Sequence, residues 1–257
     1  MGESEMGRTV LITGASRGIG RAAAVSFAKN GFNIAVNYRK EADKANILVS
    51  ELKNYGVKAA EYRADVADKS AVNEMFRRAE AELGEITVLV NNAGIAEQAL
   101  FTDISEEMWD RMFDVNVKGA YNCTQAALPA MIHEKYGRIV NVSSMWGIAG
   151  ASCEVHYSAS KAALIGFTKA LAKEVGLSGI TVNCIAPGVI GTDMNSAIPK
   201  EIMETLKADT PLNRISCLGN QCSRLGADSR RAGRNLHFGP NCCPFEKKSV
   251  NSRKNSP

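Results

Sequence analysis

The sequence lacks the features that would place the protein in a membrane, outside the cell or around a metal ion. No run approaches the roughly 18 apolar residues that a membrane helix needs. The first ten residues contain two acids and no apolar stretch of the kind found in secretory signals. The three histidines are scattered, and no Cys/His spacing matches a zinc site. We therefore expect a cytoplasmic protein that has no membrane partner and binds no metal.

The net charge is small but unevenly distributed. The whole chain carries a formal charge of +4, yet residues 1–213 hold 22 basic and 25 acidic residues, whereas residues 214–257 hold nine basic and two acidic ones. The basic segment has no periodic pattern, so we do not expect it to bind nucleic acid. This change of composition predicts one domain over residues 1–213 and an atypical, disordered tail over residues 214–257.

Four of the seven cysteines lie in that tail, and the other three stand singly in the domain. Cys123, Cys153 and Cys184 are surrounded by apolar or small residues, which predicts reduced thiols in the core. The 257 residues suffice for one α/β domain, which at this length needs no disulfide or metal to be stable.

Short apolar runs alternate with longer amphipathic segments through the first 200 residues. The runs predict strands at Thr9–Thr13, Asn33–Asn37, Lys58–Arg63, Thr87–Asn91, Arg138–Ser143 and Thr181–Ala186. The segments predict helices at Gly18–Asn30, Ala42–Tyr55, Lys69–Leu83, Glu106–Glu134 and Val155–Leu177. Strands that are apolar throughout are typical of parallel sheets buried on both faces. The alternation predicts a doubly wound α/β Rossmann fold with a mainly parallel sheet.

Such a sheet binds its ligands at the carboxyl ends of its strands. After the first strand, Gly14, Gly18 and Gly20 lie in a loop that leads directly into a helix. Glycines let a backbone approach a pyrophosphate closely, and the helix N-terminus favours its negative charge. This context predicts a dinucleotide site. The alternative is a tight turn between strand and helix.

The end of the second strand distinguishes between the two nicotinamide cofactors. An acid at this position would bind the ribose 2′-hydroxyl of NAD, whereas basic groups suit the 2′-phosphate of NADP. The sequence has Arg39 and Lys40 there, and Arg17 lies in the glycine loop. Guanidinium groups bind phosphate through charge-assisted hydrogen bonds. We therefore predict NADPH/NADP+ as the cofactor; the alternative is that Arg39 and Lys40 belong to a solvated loop.

The predicted last helix carries Tyr157 and Lys161, which are four residues apart and thus share one face. A nearby ammonium favours the phenolate, which would lower the pKa of the tyrosine and suit it to exchange a proton with a carbonyl oxygen. Ser144 ends a strand 13 residues before Tyr157 and can bond the same oxygen. The alternative is a buried tyrosine with a lysine that extends to solvent.

Two neighbours of these residues carry their own expectations. Trp146, two residues after Ser144, is predicted to form a wall of the substrate pocket, whereas Trp109 is expected to pack in a core or an interface. His156 precedes Tyr157, and because adjacent residues of a helix face apart, we predict that His156 lies at the surface.

Over residues 8–213 the chain resembles the short-chain dehydrogenase/reductase family. The matching segments are TGASRGIG (13–20), Asp65-Val66, NNAG (91–94), Asn116, Ser144, YSASK (157–161) and PG with Thr192 (187–192). The resemblance implies a catalytic tetrad of Asn116, Ser144, Tyr157 and Lys161. Ser144 would orient the carbonyl and Tyr157 would protonate it. Lys161 would bind the ribose, and Asn116 would hold a proton-relay water.

The same resemblance implies a set of cofactor-binding residues. They are Gly14, Ser16, Arg17, Gly18, Ile19, Gly20, Arg39, Asp65, Val66, Asn91, Ala93, Gly94, Tyr157, Lys161, Pro187, Gly188, Ile190 and Thr192. Within this set, Asp65 and Val66 would flank the adenine. The residues from Pro187 onward, Val189 among them, would close over the nicotinamide.

Within the family, the chain is most similar to the branch that reduces 3-oxoacyl groups on acyl carrier protein. The segment from Phe101 to Asn195 also resembles a branch that reduces a ketone attached to elongation factor P. The implied substrate is a small-molecule or acyl-carrier-protein-bound ketone, with fatty acid biosynthesis as its setting. A third alternative is a non-catalytic remnant that keeps only the nucleotide fold.

The tail departs from the family. After Pro211–Ile215, members continue with a helix and a last strand that complete the sheet and a homotetramer interface, whereas this chain continues with a segment rich in Gly, Asn, Ser, Cys and Arg. We expect the C-terminal strand and helix to be missing or replaced through a frameshift near residue 216. Loss of the tetramer, lower stability and impaired activity would follow, because an exposed sheet edge promotes aggregation. Resequencing an intact frame across this junction would contradict the hypothesis.

Overall fold

A computed structural model of the chain describes residues 8–190 and residue 204. The strands are β1 (Thr9–Ile12), β2 (Asn33–Tyr38), β3 (Ala59–Arg63), β4 (Ile86–Asn91), β5 (Gly137–Val142) and β6 (Ile180–Ile185). The helices are α1 (Gly18–Lys29), α2 (Ala42–Lys53), α3 (Lys69–Leu83), α4 (Glu106–Phe113), α5 (Gly119–His133), α6 (Trp146–Ala149) and α7 (Val155–Val175). Short 3-10 turns lie at Phe101–Asp103 and Gly176–Ser178, and a π-helical segment covers Asp114–Lys118.

The six strands form one parallel sheet in the order β3-β2-β1-β4-β5-β6. From β1 the chain winds outward to β3 and then returns to place β4 on the other side of β1. The carboxyl ends of β1 and β4 are therefore the point at which the winding reverses, which is where a doubly wound sheet opens a ligand crevice. The predicted α/β Rossmann fold is confirmed for the described residues.

Strand residues alternate between two buried cores because successive side chains point to opposite faces of a sheet. Leu11 packs against α3, α5 and α7, whereas Val10 and Ile12 pack against α1 and α2. Leu89 and its neighbours on β4 divide in the same way. Burial on both faces explains why the strands read as continuous apolar runs.

Each observed strand boundary lies within one residue of its prediction. The predicted helix Glu106–Glu134 is wrong as a single α-helix, because the π-helical segment at Asp114–Lys118 separates α4 from α5. A π-helical segment inserts one extra residue into a helical turn, and such insertions often occur at functional sites. The short helix α6 was not predicted.

Two of the helices begin at a polar residue that caps the helix N-terminus. Asp68 accepts hydrogen bonds from the backbone N–H groups of Ser70 and Ala71 at 2.8 and 3.1 Å, and thereby caps α3. Ser105 accepts one from Met108 at the start of α4. The helix α1, by contrast, begins without a hydrogen bond from a capping side chain.

The predicted tail at 214–257, the expected loss of the last strand and helix, and Thr192 all lie outside the described residues.

Candidate active site

A cavity of about 980 Å³ opens at the carboxyl ends of β1 and β4. Most of the predicted site residues line it: Gly14, Ser16, Arg17, Gly18, Ile19, Arg39, Asp65, Val66, Ala93, Gly94, Ser144, Tyr157, Lys161, Pro187, Gly188 and Ile190. Three predicted residues, Gly20, Asn91 and Asn116, are not among the lining residues. The topology thus gathers residues from seven separate segments of the chain into one site.

The glycine loop adopts a conformation that only glycine takes easily. Gly14 and Gly18 have φ angles of +60° and +56°, in the left-handed region. The side-chain oxygen of Asn37 accepts a hydrogen bond from the Gly14 N–H at 3.1 Å. The backbone carbonyl of Asn37 accepts a second one from the Ala15 N–H, and together the two bonds tie the loop to the end of β2. Because the first turn of α1 holds neither an acid nor a cap, it suits a negatively charged group.

Thr13 and Asn92 tie the same loop to the end of β4. The Thr13 hydroxyl accepts hydrogen bonds from the N–H groups of Asn92 and Ala93, both at 2.9 Å. The Asn92 amide in turn donates to the carbonyls of Thr13 and Gly14. Sequence reasoning missed the role of both side chains, although the paired asparagines after a strand were a visible signal.

Gly20 acts behind the loop rather than in the cavity. A Cβ at this position would lie 2.5 Å from Nδ2 of Asn92 and 2.7 Å from the carbonyl oxygen of Gly14. Only glycine therefore allows α1 to approach the loop this closely. Its absence from the cavity wall is consistent with a packing role in the site.

One end of the cavity is lined by Arg17, Arg39, Asp65 and Arg111, and we call it the charged end. Oδ2 of Asp65 lies 2.8 Å from Nε of Arg39 and 3.2 Å from Nη2 of Arg111. Burial would raise the pKa of Asp65, but a hydrogen bond from the Ala67 N–H and the two guanidinium groups together lower it. Asp65 is therefore ionised at neutral pH. Arg111 was not predicted from the sequence.

The other end, lined by Ser144, Tyr157 and Lys161, is here called the hydroxyl end. Ser144 lies beside Tyr157 at this end, and Trp146 forms part of the adjoining wall as predicted. Burial is the largest influence on the pKa of Tyr157 and raises it, as does the Glu154 carboxylate, whereas the Ser144 side chain lowers it. The net direction is opposite to the lowering that was expected from Lys161, whose ammonium lies 5.8 Å from the centre of the Tyr157 ring.

Lys161 is fixed to the end of β5 at two points. Its Nζ donates to the carbonyl oxygen of Val142 at 2.9 Å, and its own carbonyl accepts from the Ser143 hydroxyl at 2.7 Å. The side chain is almost fully buried, which lowers the pKa of Lys161 to about 8. A buried ammonium with one neutral partner favours a ligand that supplies further acceptors.

Asn116 lies in the π-helical segment behind the cavity wall. Its Oδ1 accepts from the Ile95 N–H at 2.8 Å, and its Nδ2 donates to the Ile95 carbonyl and to the Ser160 hydroxyl. A Cβ on Gly94 would lie 3.2 Å from both Oδ1 of Asn116 and Nζ of Lys161. The absence of a side chain at Gly94 thus leaves space where Asn116 and Lys161 approach each other.

Asn91 is also turned away from the cavity. Its amide donates to Oδ1 of Asn141 at 2.8 Å and to the hydroxyl of Thr124 at 3.1 Å, and Asn141 continues the chain of bonds to Thr168. This buried network joins β4 and β5 to α5 and α7. In the described geometry, Asn91 shapes the site through the backbone.

Two predictions about neighbouring residues are wrong. His156 is fully buried, because α7 is covered on more than one side. Neither of its ring nitrogens has a hydrogen-bond partner. Cys153 is only partly buried and takes a φ of +60° in the loop before α7. Cys123 and Cys184 are buried and reduced, as predicted.

The loop after β4 closes the rim of the hydroxyl end. The Gln98 amide donates to Oε1 of Glu154 at 2.9 Å, and the Ala99 N–H donates to the Cys153 carbonyl. Trp109, farther along the same connection, stacks on Phe113 with 5.0 Å between ring centres.

Among residues 8–190 and 204, no three His, Cys, Asp or Glu side chains are grouped as metal ligands. Within the same part of the chain, no helix is both long and apolar enough to cross a membrane.

Comparison with known proteins places this geometry in a family. The model of the short chain dehydrogenase family matches residues 8–202. A 3-oxoacyl-[acyl-carrier-protein] reductase of Staphylococcus aureus is 40% identical over 238 residues, which cover 91% of this chain and 97% of the relative. Nodulation protein G of Azospirillum brasilense is 38% identical and covers 81% of this chain and 85% of its own.

A solved structure with a similar fold is that of a gluconate 5-dehydrogenase from Burkholderia cenocepacia, in complex with NADP and tartrate. The two chains superpose with a TM-score of 0.84 at 31% identity, covering 91% of this chain and 94% of the other.

Proposed function

This chain belongs to the short-chain dehydrogenase family and is an oxidoreductase; on that premise we propose that it reduces a ketone to an alcohol with NADPH. The proposed substrate is a 3-oxoacyl thioester on acyl carrier protein. The observation that carries the proposal is that Ser144 and Tyr157 line the same cavity as the glycine loop and Lys161. The S. aureus 3-oxoacyl reductase, which matches most of the chain at 40% identity, supports the substrate class.

The described residues fit a nicotinamide dinucleotide. Gly14, Gly20 and Gly94 leave space that a Cβ would occupy, and the uncapped start of α1 offers N–H groups to a pyrophosphate. Arg17 and Arg39 at the charged end would bind a 2′-phosphate. The gluconate dehydrogenase of similar fold was solved with NADP, which supports the same choice of cofactor.

In the proposed reaction, NADPH, when bound, would supply the hydride that the carbonyl carbon gains. Tyr157 donates its phenolic proton to the carbonyl oxygen, so that the ketone gains one hydride and one proton and becomes the alcohol. Its raised pKa keeps the phenol protonated and ready to donate at neutral pH. Ser144 orients the carbonyl by donating a hydrogen bond to the same oxygen.

Lys161 and Asn116 would help to return a proton to Tyr157 after it has donated its own. The Lys161 ammonium would bind the ribose hydroxyls, and their acceptor oxygens would relieve its burial. Asn116 holds the Ile95 backbone beside Gly94, where a relay water would sit between Asn116 and Lys161. A proton drawn through this position would restore the phenol after each turnover.

The test is NADPH oxidation by the full-length chain with acetoacetyl-acyl carrier protein, measured beside Tyr157→Phe. Removal of the proton donor is expected to lower kcat by about 10²- to 10⁴-fold. Tyr55→Phe, which alters an exposed tyrosine after α2, is the matched control and should behave as the parent. Equal rates for the parent and Tyr157→Phe would refute the proposal.

The same assay separates the competing functions. Turnover of a ketone on elongation factor P in preference to the acyl thioester would instead assign the second branch that the sequence resembles. NADPH binding without turnover of any ketone would identify a nucleotide-binding remnant. A soluble and fully active enzyme would also contradict the expectation that the tail impairs the protein.

A further inference from the structure

Two arginines from different parts of the fold share one oxygen of Asp65. Arg39 follows β2, whereas Arg111 lies on α4, which comes after β4 and reaches back across the cavity. Both guanidinium groups bond Oδ2 of Asp65, at 2.8 and 3.2 Å, while Oδ1 accepts from the Ala67 N–H at 3.1 Å. The carboxylate therefore has more than one cationic partner.

The two arginines differ in how firmly they are placed. Arg111 lies on α4, which runs through the π-helical segment into α5. In α5, Asn122 donates to the carbonyl of Val66, the residue next to Asp65, at 2.9 Å. The Arg39 side chain is 49% exposed, against 36% for that of Arg111. Arg39 is thus the freer of the two to change partner.

The backbone of Arg39 is bonded to the neighbouring strand. Its carbonyl accepts from Nε of Arg63 at 3.3 Å, on the neighbouring strand β3. Arg39, Asp65 and Arg111 all line the cavity, and so does Arg17 across the glycine loop. A phosphate bound between Arg17 and Arg39 would compete with Asp65 for the Arg39 guanidinium.

We propose that Arg111 is a positioning residue for cofactor choice: it keeps Asp65 paired, so that Arg39 can leave Asp65 for the 2′-phosphate of NADPH. This inference rests on the proposed use of NADPH. Without Arg111, Asp65 has Arg39 as its remaining guanidinium partner and holds it more strongly. If Arg39 turns to the phosphate instead, the Asp65 carboxylate is left as a negative charge without either guanidinium beside it. Both effects weaken the binding of NADPH. The binding of NADH, which has no 2′-phosphate, is nearly unaffected.

The experiment measures KM and kcat for NADPH and NADH with Arg111→Met, Arg111→Lys and the parent. Arg111→Met is expected to raise the KM for NADPH about five- to twentyfold, the loss of one charge-assisted contact, with kcat nearly unchanged. The KM for NADH should stay within about twofold, because it lacks the competing phosphate. Arg111→Lys should recover most of the NADPH affinity. Arg77→Met, which removes an exposed arginine paired with Glu74 on α3, is the matched control.

A second arm tests whether Arg111 acts through Asp65. In the Asp65→Asn background the carboxylate no longer competes for Arg39, so adding Arg111→Met should change the KM for NADPH by less than about twofold. An unchanged penalty in that background would overturn the inference, and so would equal losses for NADPH and NADH. A parent enzyme that turns over NADH alone would instead defeat the proposed cofactor, a result that the parent measurements reveal by themselves.

Discussion

At the charged end of the cavity the side chains are ionic and partly exposed, whereas at the hydroxyl end they are buried and fixed by hydrogen bonds. Arg39 and Arg111 pair with Asp65 at side-chain exposures between 27% and 49%. Lys161, by contrast, is 4% exposed and bonds a neutral carbonyl. Charge attraction in water is weak and sensitive to salt, while desolvation changes pKa values and is insensitive to salt. The two ends should therefore respond to different perturbations.

The largest effect is expected at the hydroxyl end, from Lys161→Met. Loss of the ammonium that would bind the ribose should lower kcat/KM by about 10³-fold, as for other groups that place a reactant. The same change should raise stability at pH 7, because burial lowers the pKa of Lys161 from 10.5 to about 8. Removing the buried ammonium should therefore raise the free energy of unfolding by an amount on the order of 3 kcal/mol.

The size of this gain depends on pH. Below pH 8 the lysine is protonated in both the folded and the unfolded protein, so the destabilisation of the parent is complete. Between pH 8 and 10.5 the unfolded protein holds more protons, and the stability of the parent rises toward that of the variant. Urea unfolding at pH 7 and pH 10 would measure the difference, with the exposed Lys173→Met as control. A variant less stable than the parent at pH 7 would show that burial is not the dominant effect.

Between the two ends, Gly20→Ala should break the loop that carries the cofactor. The new Cβ would lie 2.5 Å from the Asn92 amide and 2.7 Å from the Gly14 carbonyl, so the loop must shift. We expect the KM for NADPH to rise about a hundredfold, since a displacement near 1 Å can cost that much. Gly166→Ala on α7 is the control, because nothing lies within 4 Å of its Cβ. Similar KM values for the two variants would contradict a close-packed loop.

Salt should separate the two ends without any mutation. Raising the ionic strength from about 0.01 to 1 M shortens the screening length from about 30 to 3 Å. The KM for NADPH should therefore rise about tenfold while kcat stays nearly constant, because the hydroxyl end works through buried hydrogen bonds. Steady-state rates across a NaCl series, with NADH as comparison, would test this. A fall in kcat equal to the rise in KM would remove the distinction between the ends.

The smallest effect is expected from His156→Leu beside the hydroxyl end. His156 is fully buried with both ring nitrogens unpaired, so an apolar side chain of similar size should stabilise the protein. Removing unsatisfied buried polar atoms is worth roughly 1–3 kcal/mol, or a few degrees in Tm for a domain of this size. The matched change at the exposed His133 should leave Tm unaltered. A lower Tm for His156→Leu would mean that the imidazole has a partner, such as a buried water.

Patterns of apolar residues predicted the strands closely because the central strands β1, β2 and β4 are almost entirely buried. The helix boundary at Asp114–Lys118 was missed because a π-helical segment changes the backbone bonding without changing the residue types. His156 was misplaced because helix periodicity says which residues share a face. It does not say how many faces the rest of the protein covers.

Residues whose own side chains suggest a chemistry were easier to predict as cavity residues than residues that act through others. Tyr157 and Lys161 carry their chemistry in their side chains and in their spacing. Arg111 was missed because its partner Asp65 lies 46 residues away along the chain. Thr13 and Asn92 were passed over for a similar reason, since their bonds join the ends of β1 and β4.

The sequence by itself determined the order of strands and helices, the glycine loop and the helical pairing of Tyr157 with Lys161, because these depend on local periodicity and residue type. The tertiary structure alone decided which side chains face the cavity and how their charges are balanced. Asn116 and Asn91 turn away from the cavity, Arg111 turns toward it, and the pKa of Tyr157 is raised rather than lowered. Burial and charge pairing arise from groups that are distant in sequence, and folding must bring them together before either acts.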